Sequence, residues 1–462
     1  SIELYAEDEH FSVRTSGLPE IGVQGVCFGR VVTAISPRGG PFNWAQILWH
    51  ELGHVFAIQM SRSRVPRWFT EGLSEWEAFH SHPEWSREDD PALAQALAAG
   101  RIPRVADFNT AFTHARQAGD MLVAYYAASK LVEFIIDRYG FDRTAALLPL
   151  WGQGLATPEV IQRGLGVSAD ALDEAFRTML RGRLTRYSTA FAVNPRDYES
   201  RATFTQAATA APNDAAAQAA AAVAAMVDGD MESAGQLAER AVRIDARNTL
   251  ARWVRARLAL GQRDGRAALT ELDALLGTGK DGWEIRMMEA RAARAARDDA
   301  RMERALQAAT RLDPSQVEAF QGLAELYERT HRDPDRVRAL REIVRLDQHD
   351  RESLGGLFEA LVAARAWADI RALREHATNL DPNSLGVHLA LAHALYETGD
   401  RDGAVFEYES AAALDPPNAD AIRERVAAVR RNQRGLAPIA APREREGRGE
   451  RQGSSDAGVS RR

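Results

Sequence analysis

The chain has 462 residues, enough for two or three domains, and its 45% apolar and 27% charged residues are the balance of a folded protein rather than a disordered or fibrous one. Its 58 basic and 65 acidic residues leave a net charge of −7, which argues against a nucleic-acid partner held on a broad basic face. A single cysteine, Cys27, excludes an internal disulfide framework and a cysteine-based zinc cluster, and no apolar run reaches the roughly 18 residues of a membrane span.

The chain opens at Ser1 on a strand, residues 2–5, that is already under way, so an N-terminal segment is expected to be missing. Residues 8–16 read as a short helix, and 22–36 as a pair of valine-rich strands punctuated by Gly25 and Gly29. Asn43 is an N-cap for a helix to about Met60. Further helices are predicted over 69–79 and 120–139, with more to about Tyr187. A small sheet followed by helices is an α+β pattern.

From about residue 196 the texture becomes alanine-rich and periodic. Asp313, Asp347, Asp381 and Asp415 each follow a leucine at a spacing of 34 residues. The same period stacks Ala222, Ala256, Ala290, Ala324 and Ala392 in one column, from which only Phe358 departs. Small residues there let antiparallel helices approach closely, and Pro314, Pro382 and Pro416 end the helices before them. The stretch resembles tetratricopeptide repeats, about six units with a closing helix over 196–435. Residues 436–462 lack apolar periodicity and read as a disordered tail.

One motif carries chemistry: His50-Glu-Leu-Gly-His54. On a helix, positions i and i+4 share a face, so two imidazoles can address one metal ion, and Glu51 sits beside the ligand line where a general base belongs. Glu71, 17 residues beyond His54 at the start of the next predicted helix, is positioned to give a third, carboxylate ligand. Glu75, one turn further, is placed to accept a hydrogen bond from a ligand histidine. That set leaves an open fourth position, as in a catalytic rather than a structural zinc site.

These residues resemble the gluzincin metallopeptidases, specifically the bacterial peptidase MA-like group in which a catalytic domain precedes tetratricopeptide repeats. The marks lie between about Gly17 and Gly140: Gly25-Val-Cys-Phe-Gly29, Trp49-His-Glu-Leu-Gly-His54, Trp68-Phe-Thr-Glu-Gly72 and Tyr126-Ala-Ala-Ser129. The resemblance implies an α+β thermolysin-like zincin domain over 1–195, followed by the all-α repeat solenoid. It implies one zinc ion on His50, His54 and Glu71, with Glu51 as the base. Ala57 and Met60 stand where the longer metzincin signature needs Gly and His, and the Gly-x-Met-Glu-Asn exopeptidase motif is missing.

A tyrosine is expected to steady the oxyanion. Met121, Tyr125, Ala128, Val132, Ile135 and Tyr139 form a core stripe at helical spacing, which leaves Tyr126 on the face of Ser129, Lys130 and Glu133. Tyr126, which also matches the family position, is therefore the expected donor. The reading is a zinc-dependent peptidase acting on a peptide or protein substrate, paired in extended form with strand 30–35. The repeats are expected to recruit substrate or a protein partner. A non-catalytic repeat scaffold that keeps the zincin fold, and a zinc hydrolase of a non-peptide amide, are the alternatives. The resemblance favours an exported bacterial protein, periplasmic or extracellular, over a cytoplasmic one.

Overall fold

The computed structural model describes residues 1–17, 23–40, 42–86, 88–115, 118–187, 190–347 and 349–439. The chain forms two compact units, the first over Ser1–Leu357 and the second from Phe358 onward. The tail expected over 436–462 falls, from residue 440, outside the described residues.

The first unit opens with a three-stranded sheet of β1 (Ile2–Tyr5), β2 (Gly25–Cys27) and β3 (Val32–Ile35), in the order β1-β3-β2. β1 runs parallel to β3, with Ile2 opposite Val32; β2 runs antiparallel, with Gly25 opposite Ala34. β3 is buried along its whole length. Because it is paired on both sides, the expected docking of an extended substrate on strand 30–35 is corrected: among the described strands, β2 offers the free edge nearest the histidine helix.

Helix α1 (Asp8–Ser16) separates β1 from β2. α2 (Trp44–Met60) follows the sheet, started by Asn43, whose side chain accepts from the Gln46 amide. Then come α3 (Arg67–Ser81), α4 (Asp90–Ala98), the short α5 (Thr110–Thr113) and the long α6 (Ala118–Tyr139). α7 (Phe141–Ala145), α8 (Leu147–Gly152), α9 (Thr157–Leu165) and α10 (Ala169–Arg183) close a core built on Trp68, Phe69, Leu131, Ile135, Trp151 and Phe176.

This corrects the expected α+β thermolysin-like domain. The structure is 72% helical, and its described residues hold one three-stranded sheet. The physical reason is strand length: three strands of three or four residues shelter one apolar face against α1 and α2, whereas the main core of this part is helix on helix.

Beyond α11 (Arg201–Ala210), helices pair in regular order. Those of the first unit are Ala215–Val227 with Met231–Ile244, Thr249–Gly261 with Gly265–Leu276, Trp283–Ala296 with Asp299–Leu312, and Val317–Arg329 with Asp333–Leu346. The leading helices start 34 residues apart, and Ala222, Ala256, Ala290 and Ala324 are buried where the paired helices approach. Asp230, Asp264 and Asp298 cap three of the second helices through their side chains. The second unit holds Leu385–Glu397, Arg401–Leu414 and the final Ala419–Arg430, packed through Ala392, Ala404, Tyr408 and Ile422. Among the described residues no helix is long and apolar enough to cross a membrane.

Candidate metal centre

Two glycines set how closely the site-bearing helices stack. A Cβ on Gly53 would lie 2.6 Å from Ser74 Oγ, so its absence lets α2 settle on α3. A Cβ on Gly72 would lie 2.4 Å from the Ala128 carbonyl oxygen, so α3 in turn rests directly on α6. The site-bearing faces of α2 and α3 are thereby held at backbone distance. A third close approach is at Gly25 on β2, where a Cβ would come within 2.8 Å of the Glu51 side chain. Sequence reasoning named Gly25 as strand punctuation but gave none of the three a packing role, although each stands in a motif it singled out.

The stacking brings His50, His54 and Glu71 together. Nε2 of His50 lies 3.4 Å and Nε2 of His54 lies 3.1 Å from the same oxygen, Oε2 of Glu71. The other nitrogen of each ring is already held. His50 Nδ1 is 3.0 Å from Glu75 Oε1. His54 Nδ1 is 2.8 Å from Thr70 Oγ1 and 3.3 Å from Ser74 Oγ. Thr70 and Ser74 were not foreseen as supports; their positions one before and three after Glu71 on α3 are the signal that would have found them.

Electrostatics follow from this packing. Burial works against the charge of Glu71, but hydrogen bonds from His50 and His54 outweigh it and hold the carboxyl well below the usual range. Burial also works against a charged His50, yet Glu71 and Glu75 on either side raise it well above an ordinary imidazole. Glu51 is different. Burial raises its pKa, only partly offset by the two histidines, and its Oε2 is buried with no hydrogen-bond partner among the described residues.

The donor set fits a zinc ion. His50, Glu51 and His54 each offer an atom within 4.8 Å of the others. Ligand atoms of a tetrahedral zinc site, with bonds of about 2.0–2.1 Å, stand about 3.3 Å apart. The 3.4 and 3.1 Å separations from Glu71 match that spacing. Both Nε2 atoms hydrogen-bond to the carboxylate; a metal would take their lone pairs instead, with each Nδ1–H then donating to Glu75 or to Thr70.

The tyrosines are placed in the reverse of the expected order. Tyr126 is buried, and its hydroxyl donates to Asp90 at 2.8 Å and accepts from Arg183 at 3.3 Å, which ties α6 to α4 and α10. It faces no open cleft. Tyr125 is the half-exposed phenol, and its oxygen accepts from Arg67 Nη2 at 3.0 Å, while Arg67 Nε donates to Glu71 Oε1 at 3.1 Å. The core stripe misassigned them because α6 is covered on several sides at once.

Residues 21–182 match the model of the Peptidase MA superfamily. No curated protein matches the chain's sequence. Among solved structures, YrrB, described as a tetratricopeptide protein with an unusual peptide-binding site, is similar at 14% identity and a TM-score of 0.25, over 48% of this chain and 97% of that one. Yeast Tom70 is similar at 13% identity and a TM-score of 0.26, over 84% of this chain and 89% of that one. The Cut9–Hcn1 hetero-tetramer structure gives 10% identity and a TM-score of 0.29, over 82% and 76%.

Proposed function

We propose that the chain is a zinc-dependent peptidase of the gluzincin type, with catalysis in residues 1–195 and substrate or partner recruitment in the repeats of 196–435. One observation carries the reading: two imidazole Nε2 atoms meet a single carboxylate oxygen while both Nδ1 atoms are held from behind. The peptidase superfamily match over 21–182 supports the same class of reaction.

His50, His54 and Glu71 would hold the ion, which when bound supplies Lewis acidity toward a carbonyl oxygen and toward water. Glu75, Thr70 and Ser74 fix the two rings. Glu51, buried and with a free oxygen, takes the proton of the attacking water and returns it to the leaving amine. Its raised pKa brings it closer to the operating pH than an exposed carboxylate. Tyr125 takes the role expected of Tyr126: burial raises its pKa, so it stays a phenol able to donate to charge developing on the carbonyl oxygen. An extended peptide added to the edge of β2 would run past Glu51, against which Gly25 lies without a side chain.

The test is cleavage of a mixed peptide library by zinc-loaded protein beside the Glu51→Gln variant, read by mass spectrometry. Cleavage by the parent alone supports the peptidase. Silence from a parent that binds zinc shifts the weight to the repeats as the working part.

A further inference from the structure

Arg67 is the first residue of α3 and stands four residues before Glu71. Its guanidinium is gripped along one side: Nε donates to Glu71 Oε1 at 3.1 Å and Nη2 donates to the Tyr125 hydroxyl at 3.0 Å. The rings of Phe112 and Tyr125 lie beneath it, with centroids 5.1 and 5.9 Å from its central carbon. Even so, the side chain is 49% exposed. The grip leaves Nη1 without a hydrogen bond among the described residues, on a cation whose orientation is already fixed.

We propose that Arg67 is a specificity residue that binds a substrate carboxylate at, or next to, the bond to be cut. The proposal rests on the peptidase reading. Arg67 touches one oxygen of Glu71 while both imidazoles touch the other, so the guanidinium sits a single carboxylate away from the reacting centre. A group bound there belongs to the residue at the scissile bond or its neighbour, since one residue of extended chain spans about 3.3–3.6 Å. A guanidinium held by two hydrogen bonds over two aromatic rings loses little further freedom on pairing, and its remaining N–H groups match the two oxygens of a carboxylate. The carboxylates of Glu51, Glu71 and Glu75 would be balanced by a divalent ion together with Arg67, so an anionic substrate would meet no net negative field. The carboxylate has two possible sources, the C-terminus of a peptide or an acidic side chain.

Four blocked peptides of one sequence separate these sources: C-terminal acid against amide, and, with the end amidated, Glu against Gln beside the cleaved bond. Cleavage is followed for the parent, Arg67→Ala and Arg67→Lys, and binding of the same peptides is measured on zinc-loaded Glu51→Gln protein with and without Arg67→Ala. The expected result is a preference of at least tenfold for one carboxylate form, which falls toward unity in Arg67→Ala and is partly kept in Arg67→Lys. The preference is a ratio within one variant, so general damage to the site does not mimic its loss. A parent that prefers neither carboxylate, in cleavage or in binding, overturns the proposal, as does a preference unchanged in Arg67→Ala. If nothing is cleaved but Glu51→Gln binds the carboxylate form through Arg67, the peptidase reading fails and the carboxylate site stands.

Discussion

That His50, Glu51 and His54 come together was readable because helical geometry converts a spacing of four into a shared face, and nothing in the surrounding fold changes that. Glu75 was foreseen behind a ligand histidine; what the spacing did not contain was the hydroxyl support of His54. Thr70 and Ser74 reach His54 only because α3 crosses α2 at Gly53, a tertiary event. Replacing Thr70 by Val is expected to weaken zinc binding about 10- to 100-fold, measured by competition with a chromophoric chelator. Glu51→Gln is expected to keep the metal and to lower peptide turnover by about 10²–10⁴-fold. A Glu51→Gln protein that turns over peptide at the parent rate removes the general-base assignment. Tyr125 and Tyr126 mark where wheel reasoning stops. α6 meets α3 on one flank and α4 on another, so an apolar stripe does not identify one inside and one outside.

At the scale of elements, helix boundaries and the repeat were legible, whereas fold class was not. The valine-rich segments do pair, but class is decided by how many strands assemble, and that number is not written in any one strand. The helical stack depends instead on close approaches that composition hides. Gly72→Ala gains about 1 kcal/mol of helix propensity but forces a methyl against the rigid Ala128 carbonyl, so a net loss of about 1–3 kcal/mol is expected in denaturant unfolding. Gly182→Ala in α10 meets nothing within 4 Å and is exposed, and should instead be neutral or stabilising by up to about 1 kcal/mol. Equal effects at the two positions would remove the close-packing argument.

At the scale of the whole molecule, pH acts on the second unit through two buried histidines of Leu385–Glu397 in opposite senses. His393 is buried, and burial lowers its pKa to about 4. An unfolded histidine titrates near 6.5, so the unfolded chain takes up the proton first. Stability from this group is complete above about pH 6.5 and declines as pH falls toward about 4. His388 works in the opposite sense: burial disfavours its charge, but Glu407 raises its pKa, and its contribution fades as pH rises. His393→Gln should therefore flatten the acid limb of the unfolding midpoint against pH and leave the alkaline limb in place. A limb of unchanged slope would remove His393 as its source.

Ala215, Thr249, Trp283, Val317, Arg351, Leu385 and Ala419 each begin a helix, and the interval between them is 34 residues without exception. A gene in that phase is tolerant of one kind of length change and intolerant of the rest. Unequal crossing-over between like units would add or remove a whole pair and leave each remaining face in place. Gain or loss of a single codon inside a helix would rotate the residues beyond it by about 100° and send buried alanines toward solvent. The coding sequence is thus elastic in copy number and brittle in phase.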